Sequence, residues 1–168
     1  MSGHIVLRLN TFMRTQRRKH DQEYGNFFAN YIGQRSAYIE IDLNLNHLPL
    51  RQREEQAAKI ARKFRNNLSR FYYGNAARKQ KKFAAVVIHL HKTKKTETGA
   101  FWHLHIIAAV PDDMRFQAVR DFSNDFVVRN FPQVKPRAKD ICFFEPTRDA
   151  VGAAIYDGKF GPNSISVF

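Results

Sequence analysis

Two His-Leu-His tripeptides stand close together in this chain of 168 residues. His89 and His91 lie in "VVIHLHKT", and His103 and His105 lie in "AFWHLHIIAAV". Four of the seven histidines therefore fall on the two arms of one hairpin-sized segment. Imidazole is the commonest metal-binding side chain, and residues i and i+2 of a strand project to one face. His103 and His105 thus point together, with Trp102, Leu104 and Ile106 on the buried side. His89 and His91 pair in the same way, with Ile88 and Leu90 behind them. Facing side chains of an antiparallel pair lie about 4.5 to 5.5 Å apart at Cβ. With a turn centred near Thr96 and Glu97, His91 falls opposite Trp102 or His103, and three or four imidazoles converge. Three convergent histidines leave positions open for substrate oxygens and water, as a catalytic metal site requires. One H-x-H on a strand is commonly coincidence or a surface pair. Two copies on adjacent arms, carrying groups that repel when protonated, favour a metal.

A second candidate is Tyr156, in "AAIYDGKFG". Lys159 follows three residues later and shares its helical face. Gly152, Ala153 and Ala154 allow that helix to approach a sheet closely. A phenol with a pKa of about 10 is a poor nucleophile at neutral pH. A nearby cation and a metal-polarised phosphate would help it attack. Taken without its context, Tyr156 reads as a packed ring with its hydroxyl in water.

Charge points to the partner. Lys and Arg number 28 against 15 acidic residues, for a net charge of +13. Such a field favours polyanions, and nucleic acid leads that class. Arg62, Lys63, Arg65 and Arg70 on a basic helix, and Lys81 and Lys82 in the following loop, are candidates for tracking a DNA backbone. Tyr72, Tyr73 and Trp102 could stack on bases, or serve the core. The single cysteine, Cys142, excludes an internal disulfide and suits a reducing compartment. The N-terminus lacks the order of a signal peptide, and no apolar run is long enough to cross a bilayer. The expectation is a soluble, cytoplasmic protein in contact with DNA, with no membrane partner.

The elements that must position these groups follow from periodicity. The length suits one domain, 1–168, with a core at about 37–160 and an N-terminal extension over 1–36. Within that extension "HIVLRLNTF" reads as a short strand. "AYIEIDLNLNH" alternates, with Ile39, Ile41, Leu43 and Leu45 on one face and Tyr38, Glu40, Asp42 and Asn44 on the other. Pro49 opens a helix whose stripe is Ala57, Ile60, Ala61, Phe64, Leu68 and Phe71; Gly74 ends it. "NAARKQKK" reads as a basic loop. The histidine arms form a hairpin around "KKTETG". "PDDMRFQAVRDFSNDFVVRNF" is a helix with Pro111 and two aspartates in its first turn, a stripe of Phe116, Val119, Phe122 and Phe126, and a stop at Pro132. "AKDICFFEP" is a strand. Thr147 caps a last helix that carries Tyr156. The fold class is α+β: a central antiparallel sheet of about five strands with helices packed on it.

In combination, "FWHLHIIAAVP", then a helix, a strand and "YDGK" on a final helix, resemble the HUH endonucleases. The likeness spans roughly residues 37–160. It implies a ferredoxin- or RRM-like nuclease fold, with His103 and His105 as metal ligands, Tyr156 as nucleophile and Lys159 as its cationic helper. The tyrosine follows the histidines, as in rolling-circle replication initiators; relaxases usually carry theirs near the N-terminus. Replication initiators draw a third ligand, often acidic, from the preceding strand. Here that strand offers His91 first, then His89, with Glu97 behind. Position 160 is Phe, which implies a single-tyrosine enzyme. The resemblance implies metal-dependent nicking and joining of single-stranded DNA through a 5′-phosphotyrosine, with Mg2+ or Mn2+ as cofactor. A plasmid, phage or other mobile element would be served, with a host helicase or polymerase as a further partner. Nitrogen ligands suit Mn2+ better than Mg2+. Three other readings stand beside it: a single-strand transposase of the same chemistry, a zinc hydrolase using His91, His103 and His105, and a non-catalytic single-strand binding module.

Overall fold

The computed structural model describes residues 23, 26–27, 30–33, 35–43, 45, 48–95, 99–130, 143–147 and 166–167. The alternating segment forms strand β1, Ser36–Leu43, and buries Ile39, Ile41 and Leu43. Glu40 and Asp42 remain partly exposed on its other face. After Leu48 the chain turns into helix α1, Leu50–Tyr73, with Pro49 as the N-cap residue. Ala57, Ile60, Ala61, Phe64 and Leu68 recur at three- and four-residue steps and are all buried, so one stripe of the helix seats on the sheet. Gly74 ends α1 at φ 52°, a backbone conformation that suits a residue without Cβ; its N–H donates to the Arg70 carbonyl at 2.8 Å.

The segment read as a basic loop begins with a helix, α2, Asn75–Lys79. Ala76 and Ala77 are strong helix formers, and Ala77 is buried, which stabilises a turn that charge alone would leave solvated. The chain then enters β2, Val86–Lys95, and returns as β3, Gly99–Ala109. The second long helix, α3, spans Phe116–Asn130. It starts later than the sequence indicates, and Pro111 and the two aspartates lie in a turn before it. Arg35 grips that turn. Its guanidinium donates to the carbonyls of Val110, Pro111 and Met114 and lies over the Phe116 ring. This long-range clamp holds the turn, in which the Pro111 carbonyl also accepts from the Met114 N–H at 3.0 Å. Val119, Phe126 and Val127 are buried, and Phe116 and Phe122 pack against the core partly exposed.

Strand β4, Phe143–Thr147, and the two-residue β5, Ser166–Val167, flank the three long strands. The sheet order is β4-β1-β3-β2-β5, and every pairing is antiparallel. The architecture is α+β. Thr147 pairs with Ser36 in the β1–β4 ladder and ends β4. Residues 4–12, read as a strand, and the last helix after Thr147 lie outside the described residues, as does Pro132.

The main core lies between one sheet face and the helices. Ile39, Ile41, Ile88, Leu104 and Ile106 meet Ala57, Phe64, Leu68, Val119 and Phe126 there. Phe64 meets Phe122 and Phe126 edge-on at 5.9 and 5.1 Å, and Phe71 stacks on Phe122 at 4.8 Å. A smaller cluster of Ile32, Val87 and Ile107 covers part of the other face. Among the described residues no helix is long and apolar enough to cross a membrane.

Candidate metal-binding face

Strand β3 lies between β1 and β2, so each of its residues has a neighbour on both sides. His105 faces Glu40 on β1 and His89 on β2; His103 faces Asp42 and His91. Two rows result, Glu40–His105–His89 and Asp42–His103–His91. They share one sheet face because their members are two residues apart on each strand. The intervening Ile41, Leu104 and Leu90 take the opposite register positions, and Ile41 and Leu104 are fully buried under the helices. Apolar packing on one face thus fixes the register that aligns the polar groups on the other.

The Nδ1 atom of His103 is 3.4 Å from Oδ1 of Asp42, and His105 Nε2 is 4.0 Å from Oε2 of Glu40. The two imidazoles stack at 5.6 Å with an interplanar angle of 13°. Tyr38 sets its ring edge-on to His105 at 5.7 Å. Exposure falls along the Glu40–His105–His89 row, where the side chains of Glu40 and His105 are 36% and 8% exposed and His89 is 1% exposed as a residue, and it falls likewise from Asp42, at 36%, to His103, at 14%. Solvent therefore reaches the rows from the carboxylate side, and His89 sits behind.

One donor atom each from Glu40, Asp42 and His103 lies within 4.8 Å of the others. A cation bound at about 2.0 to 2.2 Å holds its ligands no more than about 4.4 Å apart, so small side-chain rotations would close the set. Two carboxylates and an imidazole suit an octahedral ion that keeps several waters, and the nitrogen favours Mn2+ over Mg2+. A cation so held could polarise a phosphoryl or carbonyl oxygen or activate a water.

The structure thus brings His103 and His105 together with His89 and sets the His91 backbone opposite His103. Glu97, Tyr156 and Lys159 lie outside the described residues. Arg62, Lys63, Arg65 and Arg70 sit on α1, and Lys81 and Lys82 on the segment that leads into β2. Helix α1 packs on the sheet face opposite the histidines, so its four cations do not adjoin the two rows. Sequence reasoning misses Glu40 and Asp42 as ligand candidates. Alternation assigns them to a polar face, but only the strand order puts that face beside His103 and His105. No family model, curated protein or solved structure matches the chain.

Proposed function

We propose that the chain is an HUH-type endonuclease and strand transferase, which nicks single-stranded DNA at a specific site and can rejoin it, in the service of rolling-circle replication of a mobile element. On this reading the sheet and its helices are a ferredoxin- or RRM-like nuclease fold. The observation that carries the proposal is the register that ranges Glu40, Asp42, His103 and His105 on one partly open face. The net charge of +13 supports a polyanionic substrate, as does the order of the His-Leu-His motif and the "YDGK" segment.

His103, Asp42 and Glu40 would hold a divalent ion, Mn2+ or Mg2+, with His105 beside them and His91 the further ligand offered by β2. Such an ion would supply Lewis-acid neutralisation of charge on the scissile phosphate. The Tyr156 oxygen attacks phosphorus in line and the bond to the 3′-oxygen breaks. The phenolic proton passes to solvent, and the departing 3′-oxygen takes one up. Lys159 stabilises the phenolate before attack. The 5′-phosphate remains on the tyrosine, so a later 3′-hydroxyl can reverse the step and join strands.

End-labelled single-stranded oligonucleotides incubated with the protein and Mn2+, then run on a denaturing gel, test the proposal. A covalent protein–DNA band that disappears in Tyr156→Phe is expected. Cleavage that survives Tyr156→Phe would make water the nucleophile and the protein a hydrolase. Binding without cleavage of any hairpin-bearing strand would reduce it to a binding module.

A further inference from the structure

We infer that the junction of α1, α2 and β2 carries a second nucleic-acid contact, a base-stacking platform built from Phe83 and Tyr73 and remote from the histidine rows. The inference rests on the proposed single-stranded DNA substrate and names where the strand is gripped away from the cut. Phe83 is a large apolar side chain left 47% exposed. The Arg65 guanidinium lies 4.6 Å from its ring centroid. Beside it, the Lys82 ammonium lies 4.3 Å from the centroid of the Tyr73 ring. Two rings, each faced by a cation, offer the pairing of π-surface and positive charge that single strands bind without sequence preference.

Local structure fixes the platform. Lys81 is, among the described residues, the only non-glycine at positive φ, 52°. A residue with a Cβ adopts that conformation at a steric cost, and such residues gather at functional sites. Here the left-handed turn sends the chain back along α1, so that Lys82 reaches Tyr73 and Phe83 reaches Arg65. The Ser69 hydroxyl then pins the segment: it accepts from the Ala84 N–H at 2.9 Å and donates to the Arg65 carbonyl at 2.7 Å. Arg65 Nε is buried without a hydrogen-bond partner among the described residues.

Charge selects the occupant. From Gln56 to Thr96 the sequence has no aspartate or glutamate, while it carries Lys59, Arg62, Arg70, Arg78 and Lys79 besides Arg65 and Lys82. An acid-free stretch that carries one exposed and one half-buried ring suits a phosphate backbone with unpaired bases, whose faces a duplex would hide. Phe83 precedes His89 by six residues, at most about 21 Å of extended chain.

The test is fluorescence anisotropy with the full chain, in chelator, on a labelled oligothymidylate and on an abasic strand of equal length. Phe83→Ala should weaken oligothymidylate binding roughly five- to a hundred-fold and leave abasic binding within about twofold. Phe83→Trp should restore affinity, which separates stacking from misfolding. Unchanged oligothymidylate affinity in Phe83→Ala, or equal losses on both strands, would overturn the platform. The two proposals fail separately. Stacking-dependent binding with no cleavage keeps the platform and removes the nuclease, whereas Tyr156-dependent cleavage with a silent Phe83→Ala does the reverse.

Discussion

His103 and Asp42 face each other across the β1–β3 ladder, with Nδ1 3.4 Å from Oδ1. The distance is long for a hydrogen bond and short enough for both atoms to turn towards one cation. As ligands of that cation they make a direct prediction: Asp42→Asn and His103→Ala each weaken Mn2+ binding by more than about tenfold, since even residues that only orient a ligand contribute 10- to 100-fold. Isothermal calorimetry measures this. Wild-type affinity in both variants would exclude the pair as ligands.

Phe64 anchors the layer that supports the face. It is fully buried and meets Phe122 and Phe126 edge-on. Phe64→Ala should cost about 3 to 5 kcal/mol in urea unfolding. A loss below about 1 kcal/mol would mean that α3 does not pack on α1 as described.

Arg35 joins the start of β1 to the turn before α3 through three carbonyls and the Phe116 ring. A lysine keeps the charge but lacks the planar fork. Arg35→Lys should therefore lower stability by about 1.5 to 3 kcal/mol, the range for hydrogen bonds to a charged group. Thermal unfolding of the variant beside wild type is the measurement, and an unchanged midpoint would count against the clamp.

Tyr72 gives a pH dependence. Burial pushes its phenol well above the ordinary value of about 10, Tyr73 adds to the rise and Arg35 opposes it. Below pH of about 10 both folded and unfolded chains hold the proton, and the stabilisation is fully present. Above it the unfolded chain loses the proton first, so stability falls as pH rises. The hydroxyl is buried without a hydrogen-bond partner among the described residues. Tyr72→Phe should thus raise stability at neutral pH by about 1 kcal/mol and flatten the alkaline decline. A destabilised variant, or one with the wild-type alkaline slope, would contradict this.

Much of the scaffold is legible in the sequence because its signals are local. The alternation of "AYIEIDL", the stripe from Ala57 to Leu68 and the two histidine arms each declare one element. The expected β2–β3 register leaves His91 opposite Trp102 or His103, and the structure aligns it with His103. What a single sequence conceals is contact between distant segments. Glu40 and Asp42 become candidate ligands only because β1 pairs with β3, some sixty residues later in the chain. The turn before α3 is gripped by Arg35, which no pattern within 111–130 can indicate. Helix α2 buries Ala77, a tertiary contact that the basic run around its two alanines does not reveal. The order of the strands, more than their existence, is what converts a pair of H-x-H motifs into a mixed carboxylate–imidazole face.

The most direct test of that face is anomalous X-ray scattering from crystals of the protein soaked in Mn2+. The predicted result is a peak between β1 and β3, about 2.0 to 2.3 Å from a carboxylate oxygen of Asp42 or Glu40 and a ring nitrogen of His103. Density only elsewhere on the molecule, or none with the four side chains ordered, would contradict a metal site on this face.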